Sequence, residues 1–233
     1  MAKTKLSLSK ILISNWFITL FSTMLGVIGG LYLSNHFENK KLIDSKQNAI
    51  FMIKKELENN NEQLHIFDSI SRQAYDKTSY VFSKMNPNYN IFIHKDSLNR
   101  FKEKSLGMVD NIETKPHKIS RDSIQIKGDM NLEIGSKLAV LDLNDIVWNS
   151  YKQTNYMDVT SFDCVTSLEE LYKLQHNNNT VNNDLMDLLT KAYFLKGEDQ
   201  LADFMLQWQK ALQMNSFLLN AYSSTEEILS NCN

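Results

Sequence analysis

The sequence has 233 residues, 42% of them hydrophobic, with only seven Gly and two Pro. This length allows one membrane anchor plus one domain of ordinary size, and the composition excludes a collagenous or linker-dominated chain. Residues 1–41 carry five lysines and one acidic residue, so the remainder holds the other 20 basic and 26 acidic residues, a net charge of −6. A body of that sign repels phosphate backbones, and nucleic acid is therefore not expected as a partner.

A stretch of 25 residues, 11–35, contains no Asp, Glu, Lys, Arg or His. As a helix it would be about 37 Å long, against about 30 Å for the hydrocarbon core of a bilayer. A cleaved signal peptide has a shorter apolar centre followed by an A-x-A-like site. No Ala occurs between Ala2 and Ala49. The sequence therefore predicts a retained transmembrane anchor at 11–35 rather than a cleaved signal or a buried soluble helix.

The distribution of lysines around this anchor bears on its orientation. Three lysines lie within residues 1–10, whereas two follow the anchor at 40–41, beside Glu38. The positive-inside bias favours a cytoplasmic tail at 1–10 and an extracytoplasmic or periplasmic body. Trp16 and Tyr32 fall near opposite ends of the span, where amphipathic rings prefer the headgroup layer. We therefore expect a single-pass signal-anchor protein of the inner cell membrane, with the lipid bilayer as its first partner.

One face of the anchor carries small side chains four residues apart. Gly26 and Gly30 form a GxxxG element, and close approach of two helix backbones in lipid needs such small residues. Glycine is also generally frequent in membrane helices, so composition alone could account for the element. The stripe predicts pairing of two anchors, in a homodimer, through Ser22, Gly26, Gly30 and Ser34.

A long juxtamembrane helix is predicted over residues 38–85. Its apolar residues recur at the spacing of a coiled-coil seam, although Lys46 and Asn60 interrupt it. The seam could pack on a second chain or on later helices of its own chain, and we favour the second arrangement. Asn86-Pro87-Asn88 is expected to end the helix. The predicted packing residues are Ile43, Ile50, Ile53, Leu57, Leu64 and Phe67.

The body, residues 86–233, is expected to be mainly helical. A short helix is predicted at 96–105, followed by a β-hairpin at 123–134 with its turn at 127–129. Asp142 or Asn144 should cap a helix that carries Trp148, and the motif at 167–170 resembles a capping box. The asparagine triplet at 177–179 is expected to be a loop. Two helices, 180–195 and 198–221, should follow, split by Gly197, with an apolar side formed by Leu201, Phe204, Leu212, Phe217 and Leu218.

These patterns together define the predicted fold class: mainly α, with a single N-terminal transmembrane helix, a long juxtamembrane helix, and a helical bundle that includes a small β-hairpin. The chain also resembles an uncharacterised family of small bacterial membrane proteins. The resemblance rests on GVIGGLYLSNHFENKK, on IKKELENNNEQL, on Val147-Trp148-Asn149 and on the stretch ending at Leu171-Tyr172. Phe37 stands where that family usually has Trp. The resemblance implies one N-terminal span and a helical extracytoplasmic body, and no activity.

Chemical motifs are scarce. The five histidines form no HExxH or His-x-x-x-His pair, and no GxSxG, Walker A or GxGxxG string occurs. The segment from Asp142 to Gln153 begins like an EF-hand loop but lacks the required Gly and Glu. We therefore expect no catalytic residue, no metal site and no cofactor, and hence no enzyme.

The two cysteines do not make a disulfide framework. Cys164 is expected to be a buried thiol, and Cys232 could bridge to it or to a second chain in an oxidising compartment. These observations favour a membrane-anchored interaction or scaffold protein of the cell envelope, pairing with itself or with an envelope protein. The alternative is a membrane-tethered sensor domain that binds a small molecule between its C-terminal helices and acts through a partner.

Overall fold

The computed structural model describes residues 15–86, 90–116, 122–130, 141–194 and 198–232. Within these ranges the protein has six α-helices and a small three-stranded sheet. The chain is therefore mainly helical, as the sequence predicts. Of the predicted elements, residues 1–14, the end of the hairpin segment at 131–134 and Gly197 lie outside the described residues.

Helix α1 spans Asn15–Phe82, 68 residues without a break. It contains no Pro and only three Gly, all within its first 16 residues, so nothing in the sequence interrupts the ladder of backbone hydrogen bonds. The helix thus combines the described part of the predicted anchor with most of the predicted juxtamembrane segment. It ends in a turn in which Lys84 N donates to Val81 O and Met85 N to Phe82 O.

The sheet lies at the far end of α1. Its strands are β1 (Ile91–His94), β2 (Val109–Pro116) and β3 (Ser123–Met130), antiparallel in the order β1-β3-β2. Between β1 and β2, a 3-10 turn at Lys95–Ser97 leads into helix α2 (Leu98–Lys104). Phe101 of α2 is fully buried, and its ring centroid lies 6.1 Å from that of Tyr80 on α1.

The chain then runs back along α1 through residues 141–161. An extended stretch with Leu141 and Leu143 buried precedes helix α3 (Ile146–Lys152), and a 3-10 helix follows at Asn155–Val159. Trp148 of α3 stacks on a ring of the next helix, Tyr172, with centroids 5.5 Å apart and ring planes at 5°.

Three further helices complete the body: α4 (Phe162–Phe194), α5 (Glu198–Ser223) and α6 (Thr225–Ser230). Helix α5 packs along both α4 and α1. Polar contacts give the directions of the helices. Asn60 on α1 and Gln175 on α4 lie beside Tyr222 of α5. Asp68, further along α1, contacts Asn215, which precedes Tyr222 in α5. Helices α1 and α4 are therefore parallel, and α5 runs against them.

The predicted turn at 127–129 is wrong. These residues belong to a single strand, β3, which pairs with β1 on one side and β2 on the other. Gly128 is needed for a close approach and not for a turn, since a Cβ there would lie 2.5 Å from Val109 Cγ1 and 2.9 Å from Asp110 O. Opposite it the register shifts between Asp110 and Glu113, and Asn111 adopts a positive φ of 49°, the geometry of a β-bulge.

Three local predictions about helix boundaries and faces are also corrected. Helix α4 begins at Phe162, where Ser161 Oγ accepts from Cys164 N, so the motif at 167–170 lies inside the helix and is not a capping box. The asparagine triplet at 177–179 is helical and not a loop, because Asn178 is buried against α5. Phe217 is 66% exposed and lies outside the apolar side of α5. The side chain of Leu201 is outside the described residues.

Candidate functional site

The first third of α1 is apolar and unpacked. Among the described residues this is the one helix long and apolar enough to cross a membrane: its best window has a mean hydropathy of 1.7 and none of that window is buried inside the protein. Large side chains such as Phe21, Leu25 and Leu31 are more than half exposed. A soluble protein rarely leaves so much contiguous apolar surface in water.

The predicted pairing stripe lies on this uncovered segment. Ser22, Gly26, Gly30 and Ser34 are all exposed, and a Cβ built on Gly26 or Gly30 would meet nothing within 4 Å. The Ser34 hydroxyl donates to Glu38 Oε1 at 3.2 Å. The stripe is thus sterically open to a second helix, and its pairing stays a prediction.

The juxtamembrane packing residues lie mostly inside the protein. Ile50, Ile53, Leu57, Leu64 and Phe67 are buried against later elements of the same chain, whereas Ile43 is 47% exposed. Ile43 belongs to a neck, defined here as residues 35–45, which is exposed except for the half-buried Leu42 and Ser45. Burial of α1 starts at Lys46.

Buried polar residues of α1 interrupt this apolar seam at three positions, called polar levels here. Each of these residues is hydrogen-bonded to other parts of the chain. At the first level, Glu56 accepts from the Tyr172 hydroxyl at 2.7 Å and from Val147 N at 2.8 Å. Glu56 thereby caps the N-terminus of α3, because the residue at the cap position, Asp145, makes no side-chain capping bond. Burial, followed by the hydrogen bond to Glu56 and the charge of Glu56, raises the pKa of Tyr172 well above its usual value.

One turn further along α1, Asn60 is fully buried. Its Nδ2 donates to Asn144 O at 2.7 Å and to Gln175 Oε1 at 3.1 Å, and its Oδ1 accepts from Asn144 N. Gln175 also accepts from the Tyr222 hydroxyl at 2.6 Å and donates to Leu143 O. Burial raises the pKa of Tyr222 as well. This level joins α1, α4, α5 and the 141–145 stretch.

The third level lies near the middle of α5. Asn215 Nδ2 donates to Asp68 Oδ1 at 3.3 Å, and its Oδ1 accepts from Asn178 Nδ2 at 2.8 Å and from Asn182 Nδ2 at 3.0 Å. Asp68 Oδ2 pairs with Arg72 at 2.6 Å. Just beyond, the buried Trp208 Nε1 donates to Ser71 Oγ. The side chains at these levels fix one register of the three helices, since a slip would leave buried amides unpaired.

The end of the body nearest the apolar segment of α1 is the base, defined as residues 158–164 and 229–232 with Lys46. Cys164 and Cys232 form a disulfide with Cα atoms 4.9 Å apart, so the expected buried thiol at Cys164 is wrong and the bridge within one chain is the pairing found. The buried Lys46 Nζ donates to Cys232 O at 3.0 Å, and Ser161 Oγ donates to Asn231 O at 2.6 Å. These bonds attach the C-terminal segment to α1 and to the start of α4.

The described residues offer little for a ligand or a metal. Two shallow surface depressions lie beside α1, one lined by Arg72, Tyr75 and Gln209 and the other by Phe51, Lys54 and Glu226. Trp208 and Leu218 of α5 are fully buried, and Trp208 lies against Ser71 and Tyr75 of α1. Within the described ranges no three His, Cys, Asp or Glu residues come together as a metal site would need.

Sequence reasoning missed Glu56, Gln175, Asn178 and Asn215 as members of the buried polar levels. The signal available was spacing, because Lys46 and Asn60 sit in the apolar seam, where a polar residue requires a partner. The identity of the partners could not be read from spacing, since they lie 84 to 186 residues away.

Comparison with known proteins adds no family assignment, because no family model, curated protein or solved structure matches the chain.

Proposed function

We propose that this protein is a membrane-anchored interaction or scaffold protein of the cell envelope. The observation that carries the proposal is the continuity of α1: its apolar end is uncovered by protein, and its other half forms the core of the body. A helix of this kind holds a folded body at a fixed height above a bilayer. The proposal assigns no catalytic residue, metal or cofactor.

The disulfide supports an extracytoplasmic body. Disulfides persist in oxidising compartments and are rare in the cytosol. The lysines at 3, 5 and 10 favour a cytoplasmic N-terminus on independent grounds, since positive charge near a span is retained on the inside. Both arguments give the same single-pass topology in the inner cell membrane.

The anchor stripe supports self-association as the first interaction. Gly26 and Gly30 are unobstructed, and the body packs on itself without a second chain along most of α1. Pairing of two anchors within the bilayer therefore requires no rearrangement of the folded body. An envelope protein that binds the exposed surface of the body is the further partner that a scaffold requires.

The test is affinity purification of the tagged full-length protein from membranes solubilised in mild detergent, after cross-linking in cells. We expect recovery with the membrane fraction, as a dimer or with a stoichiometric envelope protein. Recovery of monomer alone, in detergents of several kinds, would overturn the interaction role. As a control, the variant Leu25→Asp/Val27→Asp should no longer be recovered with the membrane fraction and should lose its partners.

A further inference from the structure

Residues 224–232 form the last described segment of the body, here called the latch. It begins where α5 ends and contains the short helix α6 (Thr225–Ser230). Its buried side chains are those of Thr225, Leu229 and Cys232, while the others are partly or fully exposed. Within the described part of the chain, the buried Thr225 hydroxyl has no hydrogen-bond partner. Such a group weakens the packing of the latch, because it loses water without gaining a protein partner.

The contacts between α6 and the described rest of the body are sparse. Leu229 and the half-buried Ile228 supply the apolar contact, and Leu229 lines the same surface depression as Ile50 of α1. Lys54 of α1 pairs with Glu226 at 3.4 Å, but the Glu226 side chain is 86% exposed. Ion pairs in water contribute little to stability, because screening and side-chain entropy offset their attraction. Helix α6 is therefore held by little more than two apolar side chains.

The stronger attachments lie at the end of the latch. Lys46 Nζ donates to Cys232 O at 3.0 Å, and Ser161 Oγ donates to Asn231 O at 2.6 Å. The bridge joins Cys232 to Cys164 at the start of α4. Ordering residues 224–232 has an entropy cost at every residue, and this cost outweighs two hydrogen bonds and two apolar side chains. The bridge reduces the cost, because it confines the undocked latch to the neighbourhood of its site. The covalent bond therefore decides whether the latch is docked.

The rest of the bundle has contacts of its own that do not involve the bridge. The polar levels join α1, α4 and α5, and Trp208 and Leu218 of α5 are fully buried. Near the end of α5, the Tyr222 hydroxyl donates to Gln175 of α4 at 2.6 Å. An opening that starts at the bridge is therefore expected to stop at Tyr222, where α5 is attached to its neighbours again.

We propose that the bridge between Cys164 and Cys232 is a redox switch: the oxidised protein keeps the latch docked, and reduction by a dithiol releases it while α1, α4 and α5 stay packed. One thiolate of the dithiol attacks a bridge sulfur to form a mixed disulfide, and its second thiolate then displaces that sulfur. The dithiol ends as a disulfide, and its two protons end on Cys164 and Cys232. Both cysteines are fully buried in the docked state, so the attack follows local opening of the latch.

Release of the latch uncovers one end of the body. Ile50 loses its neighbour Leu229, and the buried Lys46 loses the carbonyl of Cys232 as its acceptor. A surface of α1 next to the neck, which the oxidised protein keeps covered, thus becomes accessible after reduction. This inference goes beyond the proposed anchoring and does not depend on it, because the latch and the bridge belong to the body alone.

The test is amide hydrogen exchange, read by mass spectrometry of peptides, on the full-length protein in mild detergent. The oxidised protein is compared with protein treated with dithiothreitol without denaturant, and with Cys232→Ser, which lacks the bridge but keeps Cys164 in α4. Because the chain has two cysteines, alkylation and intact mass report the extent of reduction directly. Without the bridge, we expect the amides of 226–232 to exchange about tenfold faster, and those of 208–218 to change by less than about twofold.

The control is Lys54→Gln with the bridge intact, which removes the ion pair to Glu226 and should leave the latch docked. Release of the latch in this variant would assign docking to the ion pair and contradict the proposal. Unchanged exchange of 226–232 without the bridge would overturn it, since the latch would then be held by its other contacts. Equal acceleration over 208–218 would overturn it too, because the bridge would then stabilise the whole bundle. Resistance of the folded protein to dithiothreitol would show a permanently closed bridge and exclude the switch.

Discussion

The hydroxyl of Tyr172 donates a 2.7 Å hydrogen bond to the buried carboxylate of Glu56, 116 residues earlier in the chain. Through this bond α4 is joined to α1, and through the second bond of Glu56, to Val147 N, the start of α3 is joined as well. One buried carboxylate thus organises three elements that the sequence separates widely.

Replacing Tyr172 by Phe should therefore destabilise the body by about 1–3 kcal/mol, because the carboxylate of Glu56 loses one of its two donors while staying buried. Urea unfolding in detergent micelles, followed by the fluorescence of the buried Trp148 and Trp208, measures the change. The matched control is Tyr156→Phe, whose half-buried hydroxyl makes no hydrogen bond within the described part of the chain. Equal effects of the two replacements would contradict the assigned role.

Stability should fall at alkaline pH because two buried tyrosines titrate differently in the folded and unfolded states. Burial raises the pKa of Tyr172 and of Tyr222 above the value near 10 of an exposed phenol. The folded state thus binds these protons more tightly, so their contribution is complete below about pH 10 and decreases above it, by at most about 1.4 kcal/mol per pH unit for each tyrosine.

The slope of unfolding free energy against pH, measured between about pH 9 and 11, tests this linkage. Lysines also titrate in this range, so the informative quantity is the difference from Tyr222→Phe, which should show a shallower loss. An identical slope in the variant would show that the Tyr222 phenol ionises in the folded protein as it does in water.

The bridge between Cys164 and Cys232 should contribute substantially to stability. It closes a loop with a sequence separation of 68 residues. The chain-entropy model assigns such a loop about 4 kcal/mol. The variant Cys164→Ser/Cys232→Ser should therefore unfold at markedly lower urea concentration, and a reducing agent should shift the wild-type protein to the same midpoint. A midpoint in the wild-type protein that does not respond to reduction would show that the bridge does not form.

Pairing of anchors should depend on the face that carries Gly26 and Gly30. Gly26→Ile and Gly30→Ile should each lower self-association several-fold in a membrane reporter assay, because a branched side chain keeps the helix backbones apart. Neither change disturbs the monomer, since both positions are open. Met24→Ile is the control, because it places the same branched side chain on the opposite face of the same helix, where Met24 is also exposed. Unchanged association in the first two variants, or an equal loss in the third, would remove the stripe as the pairing face.

Adding one methyl group at Gly128 should weaken the sheet. The Cβ of an alanine would lie 2.5 Å from Val109 Cγ1 and 2.9 Å from a backbone oxygen, so β2 has to move. We expect Gly128→Ala to cost about 1–3 kcal/mol, the usual range for overpacking. Hydrogen exchange of the strand amides would show the loss locally, with the amides of α5 as the internal reference. Unaltered protection in β2 and β3 would indicate that the bulge can relax freely.

Sequence reasoning succeeded where one local property decides the outcome. An uncharged stretch and a seam with a period of seven residues predict the long first helix, and the absence of Pro within it permits the continuity. The same reasoning failed where a distant partner decides. Asparagines at 177–179 favour loops by local propensity, but Asn178 gains a partner in Asn215 and the helix continues through it.

Gly128 shows the same limit for the sheet, because a glycine between two alternating stretches is also the signature of a hairpin. Only the packing of Val109 against it distinguishes a close approach from a turn. The pairing of Cys164 with Cys232 was likewise one of several combinations that spacing could not separate. The polar levels at Glu56, Asn60 and Asp68 needed partners from α4 and α5 that no pattern within α1 specifies.

The mostly exposed neck at residues 35–45 is the helical connection between the apolar segment of α1 and the body. Each residue turns an α-helix by about 100°, so the number of residues in the neck sets which side of the body faces a partner bound alongside the span. Insertion of one alanine there would rotate the entire body about its stalk without touching a single buried contact, and insertion of seven would return it almost to its starting azimuth. The number of residues between Asn35 and Lys46 therefore fixes the rotational orientation of the body, about the axis of α1, relative to the apolar segment.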